Sequence, residues 1–278
     1  MTAAEPAAST PASNARPAVW LVLTALIVVA VSWLLNSPEG VLGKADAVGY
    51  AICHRIDGRS FHIGDAQMPL CARCTGIYLG AVLGVVTMVA AGRGRAGGTS
   101  PLRVIVLLVL FIAAMGVDGI NSYLTLIPFV PHVYEPQNWL RLITGMLNGV
   151  AVSGLVFPVF NQTLWRHWED RPAIANVREL GGVVLLAAIL IGLVLTENPI
   201  ILYPLALISS AGVVMLLTST CSMIFMLLTR TENRARDWRG AFVPLAAGLT
   251  MSLAVILLID VLRYAATGTW GGFVIPGA

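Results

Sequence analysis

Charge is what this sequence has least of. Only 11% of its 278 residues are Asp, Glu, Lys or Arg, against about a quarter in an ordinary soluble domain, and that scarcity excludes a fold with a solvated charged surface. With 57% hydrophobic residues and a mean hydropathy of +0.83, the chain reads as all-α, a polytopic bundle of transmembrane helices. The surplus of 17 basic over 14 acidic residues is too slight and too dispersed for a nucleic-acid partner. Lipid is the expected surrounding, and nothing in the pattern specifies a membrane-complex partner or a homo-oligomer. Also missing are a Rossmann glycine fingerprint, a P-loop, an HExxH helix and a GxSxG nucleophile elbow, which removes the usual routes to nucleotide, zinc-protease and serine-hydrolase chemistry. Cysteine and histidine number four each, so where they gather matters.

Apolar runs long enough to cross the bilayer as helices occur at about 19–35, 69–91, 102–127, 140–160, 180–196, 200–228 and 242–263, each bounded by proline, glycine or charge. They predict seven helices. Residues 1–18, rich in Ala, Pro, Ser and Thr, predict a disordered tail, and 19–278 a single transmembrane helical domain. The first run reads as a retained helix rather than a cleaved signal peptide, because Asn36-Ser37-Pro38-Glu39-Gly40 offers no small-x-small cleavage site. The tight break Thr196-Glu197-Asn198-Pro199 either separates two helices or joins two half-helices into a re-entrant pair.

Arginine placement gives an orientation, because basic residues in short loops resist translocation. Arg16, then Arg93, Arg95 and Arg103, then Arg166, Arg171 and Arg178, then Arg230, Arg234, Arg236 and Arg239 fall in alternate connections. These are expected to face the cytoplasm of a bacterial or other prokaryotic cell, in a multi-pass inner-membrane protein with its N-terminus inside. Lys44, Arg55, Arg59, Arg73, Arg141 and Arg263 then lie outside, together with the C-terminus.

The polar connection 36–69, between the first and second predicted helices, carries the chemistry. Cys53, His54 and His62 lie in it, and Cys71 and Cys74 follow at the start of the second helix, where Pro69 suits the first turn. Cys71 and Cys74, three apart on a helix, share one face and can meet one metal ion or each other. Cys53 supplies a third sulfur, and His54 completes a Cys3His site of the kind zinc prefers, with His62 as the alternative ligand. Joint ligation by Cys53 and His54 requires an irregular backbone, since adjacent side chains point apart. A c-type haem is excluded, because Thr75 and not histidine follows the CxxC. Cys221, alone within the sixth span, reads as packing.

Two other classes compete. In a membrane thiol–disulfide oxidoreductase, Arg55, Arg59, Arg73 and the helix N-terminus would lower the thiol pKa of Cys71 and Cys74, and a quinone held among the helices would take the electrons. In a non-catalytic complex subunit or transporter, the loop is only a folded lid. Within the spans, Asp118 and Asn121 lie toward the outer end of one helix, with Arg141 and Thr144 at the outer start of the next. Ionisable groups at membrane depth are usually paired, which predicts an Asp118–Arg141 pair. With Arg59 and Arg73, these residues form either a second shell or a polar pocket under the cysteine loop. Asp260 and Arg263 read as an i,i+3 surface pair.

Cys53-His54, Arg59-Ser60-Phe61, the block Pro69-Leu70-Cys71-Ala72-Arg73-Cys74-Thr75-Gly76-Ile77-Tyr78, Asp118-Gly119 and Arg141-Leu142-Ile143-Thr144-Gly145 resemble the signature of an uncharacterised prokaryotic membrane-protein family, domain of unknown function 2085. The resemblance covers about residues 50–155. It implies an integral membrane protein of unassigned activity, groups Cys53, Cys71, Cys74, Asp118 and Arg141, and names no reaction.

Overall fold

The structure, a computed structural model, describes residues 15–125, 127 and 131–273. The apolar runs become helices because backbone N–H and C=O groups in hydrocarbon must be satisfied within their own segment. In chain order the helices are α1 (Ala15–Asn36), α2 (Gly40–Ile52), α3 (Ala72–Ala90), α4 (Leu102–Leu124), α5 (Asn138–Leu164), α6 (Val177–Leu195), α7 (Pro199–Thr229) and α8 (Trp238–Thr267). All but α2 are long and apolar enough to cross a membrane, and side chains such as Ile27, Leu110, Ile120, Leu185 and Leu258 form the exposed apolar exterior that lipid requires. The protein is a multi-pass membrane protein. Of the predicted tail, residues 1–14 lie outside the described residues, and α1 opens at Ala15.

One expectation changes and one alternative falls away. The cysteine connection lies between α2 and α3 rather than between the first and second helices, because residues 40–52 form a helix of their own. Only 13 residues long, α2 cannot span a bilayer, and Lys44 and Asp46 interrupt its hydropathy; it instead buries Ala45, Ala47, Val48 and Tyr50 in the packing against α7 and α8. The break at Thr196–Pro199 joins two full-length helices of 19 and 31 residues, not a re-entrant pair. Glu197 turns the chain with φ 51°, and the Asn198 side chain accepts the Ile200 N–H at 3.0 Å to open α7.

The most extensive helix pairing, α3 on α5, is made by glycines. A methyl group on Gly76 would strike the Leu142 carbonyl, on Gly80 the Met146 carbonyl, on Gly145 the Arg73 carbonyl and on Gly149 the Ile77 carbonyl. Spacing by four puts Gly76, Gly80 and Gly84 on one face of α3 and Gly145 and Gly149 on one face of α5, so each backbone lies in the groove of the other.

Among the described residues, four short strands complete the fold. Beside the cysteines, β1 (His62–Ile63) and β2 (Ala66–Gln67) form a hairpin. At the other end of the bundle β3 (Ala96–Gly98) pairs in parallel with β4 (Glu169–Pro172). There the three arginine-rich connections are tied into one layer: Arg166 N–H donates to the Ala235 carbonyl at 2.8 Å and Glu169 N–H to the Arg95 carbonyl at 2.8 Å. Arg95 stacks on Trp165, 4.3 Å from the ring centroid.

Candidate metal centre

The site is assembled from the end of α2 and the beginning of α3. Cys53 is the extended residue that terminates α2, and Cys71 is the N-cap of α3, which puts Cys74 in that helix's first turn. The Sγ atoms of Cys53, Cys71 and Cys74 all lie within 4.8 Å of one another. All four cysteines of the chain are free thiols. Cys53 and Cys71 are buried, in a cluster with Val48, Leu70, Val213 and Ile256.

The backbone around Cys53 is irregular, as ligation by neighbouring residues demands. Arg55 adopts φ 51°, a left-handed conformation uncommon for a non-glycine residue. This turn aims its N–H at Cys53 Sγ (3.4 Å), and the Cys71 N–H reaches the same sulfur at 3.4 Å. A sulfur taking two backbone N–H groups is an environment for a thiolate. The adjacent thiols of Cys71 and Cys74 stabilise charge on Cys53 and hold it well below the ordinary thiol range, against the effect of burial. The proton stays on Cys71, which its neighbour Cys53 pushes up to about 12. The lowering thus falls on Cys53 and comes from its sulfur neighbours, whereas Cys71, which the arginines were expected to lower, is raised.

The two candidate histidines separate. His54 Nδ1 lies 3.9 Å from Cys53 Sγ and accepts the Ile56 N–H at 3.5 Å, at the edge of the sulfur cluster but not within the mutually close group. His62 sits on β1 and binds Asp57 at 2.9 Å, with Asp57 well exposed. It takes no part in the sulfur group.

Asp118 pairs with Arg73, not with Arg141. Arg73 Nε donates to Asp118 Oδ2 at 3.1 Å, and Nη2 contacts that oxygen and donates to Ser122 Oγ at 2.8 Å. Tyr134 donates to Asp118 Oδ1 at 2.9 Å and Thr144 to Oδ2 at 3.3 Å, which leaves the carboxylate 1% exposed. Burial, and after it the hydrogen bond that the phenol donates to Asp118, push Tyr134 up to about 12. Asn121 holds the α4–α5 connection, accepting the Val133 N–H at 2.7 Å and donating to the Tyr134 carbonyl at 2.8 Å. Arg141 donates to Asn138 at 2.8 Å. The pair Arg73–Asp118 thus locks α4 to the helix carrying the CxxC. Asp118→Asn should lower stability by about 2 kcal/mol, the scale of a hydrogen bond to a charged group, read as a reduced unfolding temperature in detergent; no change would remove this locking role.

Asp260 and Arg263 do not form the expected surface pair. Asp260 is 2% exposed. Arg263 reaches the carbonyls of Tyr50 (2.5 Å), Cys53 (2.6 Å) and His54 (3.3 Å), so a cation caps the C-terminal carbonyls of α2, where the helix dipole favours it. The segment after α8 folds over the same place: Phe273 N–H donates to the His54 carbonyl at 2.9 Å, Trp270 packs tilted against Tyr50 with ring centroids 5.0 Å apart, and a side chain at Gly272 would strike the Arg55 carbonyl. Sequence reasoning missed this cover, because more than 200 residues separate its two sides and no local pattern links them.

A family profile described as predicted membrane protein, domain of unknown function 2085, matches residues 53–155, beginning at Cys53 and ending within α5. An uncharacterised protein of Methanocaldococcus jannaschii is 30% identical over 123 residues, 44% of this chain and 72% of the relative. Another, from Methanothermobacter thermautotrophicus, is 30% identical over 104 residues, 37% of this chain and 83% of the relative. Both relatives are archaeal, so they lend no support to a specifically bacterial assignment. No solved structure matches the chain. With close to one third identity across most of the first relative's length, the chain belongs to the predicted membrane proteins of domain of unknown function 2085.

Proposed function

We propose that Cys53, Cys71 and Cys74 bind a thiophilic divalent ion, zinc by preference, at one face of the membrane. The observation that carries this reading is the convergence of three free sulfurs, from segments on either side of the hairpin, within 4.8 Å. A tetrahedral zinc ion with Zn–S bonds of about 2.3 Å sets its sulfurs roughly 3.8 Å apart, a separation that this cluster accommodates. The two N–H groups on Cys53 Sγ orient and stabilise that ligand, as outer contacts do at metal sites. His54 is the fourth protein ligand within reach. With it the site is closed and structural; without it the fourth position takes water or substrate, and the ion supplies Lewis-acid chemistry there.

Metal analysis with thiol counting on the detergent-purified protein tests the reading. About one zinc per chain is expected. An ion-free protein with a titratable disulfide would overturn it and favour the thiol–disulfide oxidoreductase, with a quinone as the electron acceptor to look for. The cysteine face is the outer face of a prokaryotic cytoplasmic membrane in this proposal, and the tied layer with Arg95, Arg166 and Arg171 faces inward. A phosphatase that works only outside the cytoplasm, fused after Ala278, should be active; an inactive but folded fusion reverses the orientation.

A further inference from the structure

Three arginines gather at the cysteine face, and among the described residues Asp118 is the one carboxylate paired with any of them. Arg59 and Arg141 are 8% and 6% exposed, and Arg73 is the one engaged by Asp118. Arg59 reaches Thr125, whose hydroxyl donates at 2.9 Å to the carbonyl of Ser122, the residue that Arg73 also holds, and Thr144, one turn after Arg141, donates to the Asp118 carboxylate that binds Arg73. Arg73 stands between Cys71 and Cys74 in the chain, so the group adjoins the sulfur site. Among the described residues, Arg59 donates only to Thr125, at 3.4 Å, and Arg141 only to Asn138; Arg141 Nε is buried without a partner.

Charge does not balance here. An ion on three thiolates carries one net negative charge and Asp118 another, so three guanidinium groups leave positive charge over. Burying a cation is costly unless an anion compensates it. Two helix N-termini add to the excess. The N-cap residues of α3 and α5, Cys71 and Gln137, make no side-chain cap hydrogen bond, so the first N–H groups of both helices keep their partial positive charge. Arg141 stands in the first turn of α5, and Asn138 at its start donates to the Gly58 carbonyl at 3.2 Å, which brings this terminus against the loop that holds Arg59.

We propose that Arg59, Arg73 and Arg141 bind an oxyanion, a carboxylate or a phosphate, beside the cysteine site. Planar guanidinium forks match such an anion in two-point contacts, and Asp118 holds Arg73 in place for it. The inference deepens the metal reading, on which part of the charge count rests: it makes the substrate or regulator of that site anionic.

Inorganic phosphate tests it on the purified protein, titrated at constant ionic strength against chloride while thermal unfolding is followed. Wild type should show a saturable rise in unfolding temperature. Arg59→Gln and Arg141→Lys should weaken the apparent affinity about tenfold or more, and Arg230→Gln, at the opposite end, should not. Arg141→Lys keeps the charge and removes only the fork, so it serves if a neutral variant fails to fold. A phosphate effect matched by chloride, or unaltered in both cluster variants, overturns the proposal. Metal content measured on the same samples separates the two readings: bound zinc without a phosphate response sinks the oxyanion alone, and a phosphate response without zinc sinks the metal alone. Reconstitution in anionic phospholipid vesicles identifies the source. Loss of the response there, but not in choline-lipid vesicles, assigns the site to a lipid phosphate, and its persistence in both assigns it to a soluble anion.

Discussion

Replacing Cys53 with serine is expected to take the bound ion from about one per chain to nearly none. A serine hydroxyl does not ionise at neutral pH, and zinc prefers thiolate sulfur to it. Of the three cysteines, Cys53 is also the one whose sulfur receives both backbone N–H groups, so its replacement removes the ligand whose charge they stabilise. Metal-binding free energy is in part folding free energy, and the variant should therefore unfold at a lower temperature than metal-loaded wild type. Two controls sharpen the result. His62→Ala should keep the ion, because His62 is occupied with Asp57 on the hairpin. Cys221→Ser should also keep it, since Cys221 lies within α7 and is absent from the sulfur group. Elemental analysis of the four proteins decides the matter, and unchanged zinc in Cys53→Ser would refute this ligand set.

Gly80→Leu should cost more than about 3 kcal/mol and leave little protein folded in detergent. Inserting even a few methylenes into a well-packed contact costs about 1–3 kcal/mol, and here the new atoms meet the Met146 carbonyl and the Gly149 backbone rather than a side chain that can turn aside. The helices would have to separate. That movement would also shift Arg73 and Cys74, both about two turns earlier on α3, relative to Asp118 and Arg141, so metal retention should fall together with stability. Gly116→Ala on α4 is the matched control: its methyl group meets nothing within 4 Å, and helix propensity favours alanine by up to about 1 kcal/mol. Size-exclusion profiles and unfolding temperatures of the two variants give the comparison. Equal behaviour would mean that α3 and α5 do not depend on their close approach.

The glycine ladder was within reach of sequence reasoning, since Gly76, Gly80 and Gly84 keep the spacing of four that marks close helix pairs. Small residues are common in membrane helices, however, and the spacing does not say which helix is the partner. The short helix α2 was hidden for a different reason. Lys44 and Asp46 break its hydropathy, and its burial comes from α7 and α8, more than 150 residues away.

Composition alone determined that this is a multi-pass membrane protein with seven long apolar helices, because the need to satisfy backbone groups in hydrocarbon is local and nearly every residue contributes to it. The spacing of Cys71 and Cys74 on a helix start was equally local. Only the tertiary structure decided that Cys53 meets both of them while His62 turns away to Asp57, that Asp118 takes Arg73 in preference to Arg141, and that Arg263 and the segment after α8 close over the end of α2. Arg73 and Arg141 stand at the same end of the bundle, and which of them reaches Asp118 depends on how far α3, α4 and α5 are rotated about their axes. For α3 and α5 that rotation is set by the contact of glycine backbones between the two helices, and for α4 by the side chains it packs on α5, quantities no single segment of the sequence contains.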